Sequence, residues 1–298
     1  MSESRGPRRE GNRPASGGGR PSSSGRGRPA GDRRGKPDGD RRGKPDGDRR
    51  GKPDGDRRGR PPRRDARSEP ERTAEQKVYD GPPIPDDVSA SDLDKHARQA
   101  LQGLPEKLVD KVARHLVMAG LLMAEDPETA HLHALAARAR ANRNGMIREA
   151  CGETAYAAGK FGDALAEFRA ARRMNGQQYY APMMADCERA LKRPEKAIAY
   201  DTPAIRSALD DAGQVELSIV VAGARRDLGQ VEAALRLLET EPLHTKSRAD
   251  WVARLRYAYA DTLLAAGRRE DAVTWFHRTV AVDGNALTDA QERLDELE

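Results

Sequence analysis

The chain has 298 residues, of which 34% are charged and only 4% are aromatic, and its formal net charge is +5. Residues 1–80 contain 24 Lys and Arg against 14 Asp and Glu, whereas the remaining residues contain 29 against 34. Two cysteines are too few for a disulfide framework of the kind that stabilises small secreted domains. The composition therefore indicates a basic N-terminal arm followed by an acidic body.

Residues 1–80 lack the side chains from which a hydrophobic core is built. Between Ser2 and Lys77 the only apolar side chains are four alanines. Ordering a residue costs roughly 1–2 kcal/mol of backbone entropy, and no burial is available here to offset that cost. We expect residues 1–80 to be a disordered, basic, low-complexity arm. The N-terminus has no apolar run, so a secretory signal is not expected.

The arm contains a repeat with a possible role in nucleic-acid binding. Residues 31–62 contain the octad GDRRGKPD three times and then the variant GDRRGRPP. An additional Arg-Gly-Arg-Pro at residues 26–29 resembles the core of the AT-hook, in which arginines lie along a narrow minor groove. The candidate nucleic-acid-binding residues are Arg26, Arg28, Arg34, Lys36, Arg42, Lys44, Arg50, Lys52, Arg58 and Arg60.

Three interpretations of the arm remain open. It contains no aromatic residue before Tyr79, so stacking on bases is not available and any nucleic-acid binding would be electrostatic and salt-dependent. The acids between the octads reduce the charge of each unit. The alternatives are a protein-contacting or solubilising tail and a simple spacer. The arm could also fold back onto the acidic body of its own chain, because tethering raises the effective concentration.

Residues 81–106 are interpreted as a linker that contains a short leading helix. Ser91 or Asp92 is a suitable N-cap, and the helix is expected to end at Leu101, before Gly103.

Residues 107–284 contain an alanine that recurs at intervals of 34, 33, 37 and 38 residues. In three copies a larger side chain follows this alanine by four residues, which places both on one face of a helix. This spacing predicts pairs of antiparallel helices that approach closely at the small residue. The recurring alanines are Ala130, Ala164, Ala197, Ala234 and Ala272.

The turn between the two helices of each pair has its own signal. Gly159, Gly229 and Gly267 mark this turn in three copies, and Pro127 and Pro194 mark it in the other two. Proline is well suited to the first position of a helix, because the backbone N–H that it lacks has no helical partner there.

The period and these turn signals resemble those of the tetratricopeptide repeat (TPR) family, whose repeat has 34 residues. The resemblance covers residues 107–284 and is weakest in the third copy, where Pro182 and Pro203 interrupt the pattern. It implies an all-α solenoid, a right-handed superhelix of antiparallel helix pairs with about five repeats and about twelve helices in total. The alternative interpretation of the same pattern is an irregular helical bundle.

Residues 285–298 are expected to form a C-terminal capping helix with Thr288 as its N-cap. A charged outer face, which a terminal solenoid helix requires, would be provided by Asp289, Glu292, Asp295 and Glu296.

In the TPR family the concave wall is built mainly from the first helix of each pair. Family members that bind a C-terminal carboxylate have Lys and Asn where this chain has Glu149 and Glu153, so a carboxylate clamp is not expected. These acids favour a basic or extended partner segment, although the pair is equally consistent with a solvated helix face. The resemblance implies a partner-binding groove of Glu149, Glu153, Tyr156, Tyr179, Asp186, Arg189, Glu216, Arg226, Arg254, Tyr257 and Asp261.

No catalytic motif is evident. The glycines at residues 17–19 are not followed by the Lys and Ser/Thr of a P-loop, and Cys151 and Cys187 lack the grouping of a zinc site. The longest apolar stretch, residues 116–124, is too short to span a membrane. We expect a cytoplasmic, non-enzymatic adaptor without a cofactor or metal, which binds another protein or peptide through its groove. The alternative is a nucleic-acid-associated protein whose arm binds DNA or RNA while the repeats recruit a partner.

Overall fold

The computed structural model describes residues 73–298, so the octads and the ten candidate nucleic-acid-binding residues lie outside the described residues. Within the described residues the chain is all-helical, with fourteen α-helices, one 3-10 helix at Ala90–Asp92 and no β-strand. The α-helices are α1 (Ala74–Asp80), α2 (Lys95–Ala100), α3 (Glu106–Leu122), α4 (Pro127–Arg140), α5 (Gly145–Ala157), α6 (Phe161–Asn175), α7 (Ala181–Ala190), α8 (Pro194–Ile198), α9 (Pro203–Arg206), α10 (Asp211–Asp227), α11 (Val231–Glu239), α12 (Asp250–Ala265), α13 (Arg269–Val280) and α14 (Ala290–Leu297).

Helix α1 shows that the predicted boundary of the arm at residue 80 was wrong. Thr73 and Gln76 form a capping box, in which each side chain accepts a hydrogen bond from the backbone N–H of the other residue. The helix packs on α4, where the guanidinium of Arg140 lies 4.2 Å from the ring centroid of Tyr79. The last residues of the predicted arm therefore belong to the folded body.

The leading helix of the linker begins later than predicted. Asp94, rather than Ser91 or Asp92, is its N-cap, and Asp94 Oδ1 accepts hydrogen bonds from two backbone N–H groups of α2. Ser91 and Asp92 belong instead to the preceding 3-10 helix, where Asp92 accepts a hydrogen bond from the backbone N–H of Ser89. Arg114 on α3 fixes this linker by donating to the carbonyl oxygens of residues 85 and 88.

The helices of the body pack mainly on their neighbours in sequence. The predicted pairs α3 with α4, α5 with α6, α10 with α11, and α12 with α13 each pack together, and α4 packs on α5 more extensively than α10 packs on α11. Gly159, Gly229 and Gly267 end the first helix of three of these pairs with φ of +69°, +74° and +77°, a conformation that favours glycine. The predicted turns are thus confirmed. The five recurring alanines are all fully buried at the second helix of a pair.

The pair α5–α6 depends on one close approach. A Cβ atom added to Gly152 would lie only 2.5 Å from Cε1 of Phe168, so the ring lies directly against the backbone of α5. The same ring stacks on Tyr180, with centroids 4.6 Å apart. A small residue facing a large one therefore sets the separation of these two helices, as the sequence predicts.

The third copy departs from the regular pattern at its second helix. Helix α8 has only five residues, and after a break the chain forms the four-residue helix α9, which Thr202 caps and Pro203 begins. The expected interruption at Pro203 is therefore confirmed, and it raises the helix count above the predicted twelve. The interruption expected at Pro182 was wrong, because this proline lies in the first turn of α7, where its missing N–H costs no helical hydrogen bond.

The C-terminal helix α14 packs on α13, and its N-cap residue is Asp289 rather than the predicted Thr288. Thr288 instead donates its hydroxyl to Asp283 Oδ2 at 2.7 Å, and that carboxylate also accepts the backbone N–H groups of Leu287 and Thr288. The four acids predicted for the outer face are all exposed. Within residues 73–298 no helix is both long and apolar enough to cross a lipid bilayer.

Candidate partner-binding clefts

Two adjoining clefts open where α7, α10 and α12 lie side by side. The first, here called the tyrosine cleft, has a volume of about 450 Å³ and is lined by Tyr156, Tyr179, Pro182, Met183 and Val220 among others. The second, here called the arginine cleft, has a volume of about 490 Å³ and extends to the loop before α14. Arg189, Ile219 and Arg254 line both clefts. The two clefts are therefore neighbouring parts of one surface.

Most of the predicted groove residues lie on this surface. The exceptions are Glu149 and Glu153 on α5, which line neither cleft. The TPR register thus selects side chains that the fold brings together, although they come from four different helices and one loop. The predicted residues that line the clefts are Tyr156, Tyr179, Asp186, Arg189, Glu216, Arg226, Arg254, Tyr257 and Asp261.

The two acids on α5 each accept a hydrogen bond from a neutral side chain, one from the last residue of α6 and one from the residue before α7. The Tyr180 hydroxyl donates to Glu153 Oε1 at 2.6 Å, and Asn175 Nδ2 donates to Glu149 Oε1 at 2.5 Å. Burial raises the pKa of Glu149 above its ordinary value, while the Asn175 hydrogen bond opposes that shift. These two acids therefore contribute to the packing of α5 against α6 and α7.

Asp186, at the edge of the tyrosine cleft, is paired in the same way. The Tyr156 hydroxyl donates to Asp186 Oδ2 at 2.6 Å, so a side chain of α5 binds one of α7. Burial, followed by this hydrogen bond, raises the pKa of Tyr156, and its hydroxyl therefore remains a proton donor at neutral pH.

Arg189 connects α7 to α10, and its guanidinium lies against a glycine of α10. Its Nε donates to Asp227 Oδ2 at 2.6 Å, and its Nη2 donates to Oδ1 of the same carboxylate at 3.3 Å. The guanidinium passes directly over Gly223, where an added Cβ atom would lie 2.8 Å from Arg189 Cζ. The hydrogen bond to Asp227 raises the pKa of Arg189.

The remaining acids of the clefts are paired with arginines. Arg254 Nη2 lies 2.5 Å from Glu216 Oε1, which joins α12 to α10. Burial raises the pKa of Glu216, and the charge of Arg254 opposes that shift. Asp261 accepts hydrogen bonds from Arg226 at 2.6 Å and from Arg293 on α14 at 3.2 Å.

These pairs change the electrostatic interpretation of the groove. The sequence favours an acidic groove, but each predicted acid has a hydrogen-bond or ion-pair partner, and arginines and carboxylates are nearly balanced around both clefts. Sequence analysis did not identify Tyr180, Asp227 or Arg293, although each binds a predicted groove residue. No repeat signal reveals them, because such pairing depends on how far adjacent helices are offset along their axes.

The other potentially reactive groups of the body are buried. Cys151 and Cys187 are free thiols in the packed interior, and burial raises the pKa of each to about 12. Among residues 73–298 no group of three or more His, Cys, Asp or Glu side chains is placed to hold a metal ion.

No protein-family model matches the chain, and a search of the curated proteins finds no match.

Proposed function

We propose that the body is a TPR-like helical solenoid that acts as a non-enzymatic, cytoplasmic adaptor. It binds an extended segment of another protein across the tyrosine and arginine clefts. One observation supports this function above the others. Nine residues that the TPR register assigns to a partner-binding wall surround two adjoining clefts.

The packing of the body supports the repeat interpretation. Helices contact their neighbours in sequence, the recurring alanines are buried at equivalent places, and three glycines with positive φ end the first helices of their pairs. A solenoid is built in this way, because each helix pair buries its apolar face against the adjacent pairs.

The side chains of the tyrosine cleft are of the kind that bind protein segments. Tyr179 is 62% exposed at the cleft, and Met183 and Val220 are partly buried behind it. Tyrosine and methionine are enriched at protein interfaces, where they bury a large area in few residues. A partner that covers Tyr179 would remove an exposed aromatic ring from water.

The adaptor function is tested by comparing what the full-length protein and two variants capture from the native lysate, after nuclease treatment and with mass-spectrometric identification. Tyr179→Ser is expected to lose the partner, because it removes the aromatic ring from the cleft. Leu121→Ser is the matched control, because Leu121 is 65% exposed and lines neither cleft. If Tyr179→Ser captures the partner as well as Leu121→Ser does, the partner binds outside the tyrosine cleft.

A second candidate function rests on the charge of the sequence alone. Residues 1–80 carry a net charge of +10 from their Lys, Arg, Asp and Glu residues, and 12 of their 24 Lys and Arg lie in the octads of residues 31–62. We propose as the alternative that this arm binds DNA or RNA while the body recruits a protein. Affinity for a DNA duplex is then expected to disappear on deletion of residues 1–72 and to fall steeply with salt. Duplex affinity that persists without residues 1–72 would contradict it.

A further inference from the structure

The charges of the two clefts are satisfied within the protein, which limits the chemistry of a partner. Asp186 is bound by Tyr156, Glu216 by Arg254, and Asp261 by two arginines. Each of these carboxylates also has an arginine within 4.0 Å, which is Arg189 in the case of Asp186. A lysine or arginine of a partner would therefore gain little, because its charge is desolvated and meets carboxylates whose charge arginines already offset.

Apolar side chains of the clefts, in contrast, remain exposed to water. Each cleft has one strongly exposed apolar side chain in its lining, Tyr179 in the tyrosine cleft and Leu287, which is 45% exposed, in the arginine cleft. Ile219 lines both clefts and is only partly buried. Ile219 therefore provides an apolar side chain that the two clefts share, with one exposed anchoring position in each cleft.

Arg254 provides a hydrogen-bonding group that lines both clefts. Its Nη2 is paired with Glu216, and the side chain as a whole is half exposed. A guanidinium has five N–H donors in a fixed plane, so Arg254 retains donors for a backbone carbonyl oxygen of a bound segment. Because a peptide carbonyl is neutral, it can accept such a bond without disrupting the pair with Glu216.

We propose that the partner segment is extended and close to neutral, with two apolar side chains at alternate positions, one for each cleft. Alternate side chains of an extended chain lie on the same face, so both can enter the clefts while the residue between them crosses Arg254. This inference rests on the proposed adaptor function and replaces the expectation of a basic partner. Apolar burial supplies the affinity, and the balanced charges reject segments with a high net charge.

The test is a selection of random twelve-residue peptides displayed on phage, with the immobilised full-length protein in 0.3 M NaCl. The salt suppresses non-specific binding of acidic peptides to the basic arm. The enriched sequences are synthesised with a fluorescent label, and their affinities are measured by fluorescence polarisation. The measurements use the unmodified protein and the variants Tyr179→Ser, Leu287→Ser, Glu216→Gln and Leu121→Ser.

The expected peptides carry two apolar residues at alternate positions and no excess of Lys or Arg. Tyr179→Ser and Leu287→Ser are each expected to weaken binding by about tenfold, as a lost apolar anchor does, whereas Leu121→Ser leaves it unchanged. Affinity is expected to change by less than about threefold between 0.1 and 0.5 M salt, because no net charge is neutralised.

Two other results would overturn the inference, and they differ in what they imply for the adaptor function. Enriched peptides that are rich in Lys and Arg, and that bind less well to Tyr179→Ser and to Glu216→Gln, would place a basic partner in the clefts. The adaptor function would then stand and the inference would be wrong. If no peptide is enriched, or if Tyr179→Ser and Leu287→Ser bind the enriched peptides normally, both proposals are contradicted.

Discussion

The helix pair α5–α6 and the third copy, α7 to α9, have the same place in the repeat pattern but are stabilised differently. In α5–α6 a glycine faces a phenylalanine, and two helices of thirteen and fifteen residues pack along their length. In the third copy the second helix is broken into two short pieces. The region is linked to α10 and to residue 241 by Arg206, which hydrogen-bonds Asp201, Ser218 and Glu241. The regular pair α5–α6 thus shows a close apolar fit, and the irregular copy has in addition a polar network centred on Arg206.

This difference also determines where the clefts lie. Helix α7 of the irregular copy and helix α10 after it form the walls that the tyrosine and arginine clefts share. The best-formed pair, α5–α6, provides Tyr156 to the edge of one cleft. The copy that fits the repeat least well is therefore central to the candidate site.

The largest expected effect is a loss of stability of the regular pair α3–α4 at low pH. His115 on α3 and His133 on α4 are buried with their Nδ1 atoms 3.0 Å apart, and Lys111, Arg140 and the backbone of Asp80 lie near His115. Burial, followed by the charges of His133, Arg140 and Lys111, lowers the pKa of His115 to about 4. Burial also lowers the pKa of His133.

A histidine with a lowered pKa stabilises the fold fully above its unfolded pKa of about 6.5, and the stability is lost as the pH falls towards the folded value. The free energy of unfolding in urea is therefore expected to fall by on the order of 2–3 kcal/mol between pH 7 and pH 4 because of His115. Hydrogen exchange should show that α3 and α4 lose protection before the third copy does. His115→Gln is expected to reduce this loss, while His96→Gln, at an exposed position, retains it. Equal losses of stability in His115→Gln and His96→Gln would contradict the attribution of this pH dependence to His115.

The next largest effect tests the apolar fit of α5–α6. Gly152→Ala is expected to destabilise the protein by about 1–3 kcal/mol, because the added methyl group overlaps the buried ring of Phe168. Gly162→Ala, on α6, is the control, since nothing lies within 4 Å of an added Cβ atom there, and it is expected to be neutral or stabilising. Urea unfolding of both variants gives the comparison. Equal stabilities would show that the pair can separate without cost.

The polar bonding of the third copy is tested by Arg206→Met. This substitution is expected to cost about 1–2 kcal/mol, because Asp201 and Glu241 are mostly buried and lose their ion-pair partner. Arg268→Met is the matched control, because Arg268 and its partner Asp271 are both about half exposed, and little change in stability is expected. Thermal unfolding at low and high salt measures both. A loss for Arg206→Met no larger than that of the control would remove the distinction between the two regions.

The smallest effect on stability is expected from Gly223→Ala, which tests the geometry of the clefts while leaving the fold intact. The new methyl group would contact only the end of the flexible Arg189 side chain, so the free energy of unfolding should change by less than about 1 kcal/mol. The guanidinium must move away from Asp227, and the geometry of both clefts changes with it. Peptides selected on the unmodified protein should bind this variant less tightly. Unchanged affinity would show that the position of Arg189 is unimportant for binding.

Local sequence signals predicted much of the body correctly. Buried alanines such as Ala164, and glycines with positive φ such as Gly159, were identifiable because the reason for each lies within one helix pair. Helix α1 was missed because the polar composition of the arm outweighed the short capping signal at Thr73. Proline was read as a helix breaker at residue 182, although at the start of a helix it is compatible with the fold.

The hydrogen bonds and ion pairs of the candidate site could not be predicted from the sequence. Repeat register indicates that Asp186 and Arg189 face the same wall, but not that Tyr156 and Asp227 bind them. Those bonds depend on the rotation and offset of helices from different copies, which the irregular third copy changes. The expectation of an acidic groove counted charges without their partners.

The position of Arg189 and Arg254 in the walls of both clefts has a thermodynamic consequence. An occupant of one cleft that shifts either guanidinium also reshapes the other cleft, so the two binding events are energetically coupled. Such coupling is reciprocal: each occupant changes the affinity of the other by the same factor. Two separate short ligands would therefore bind with positive or negative cooperativity. For a single segment that spans both clefts, the same coupling free energy would be part of its one dissociation constant.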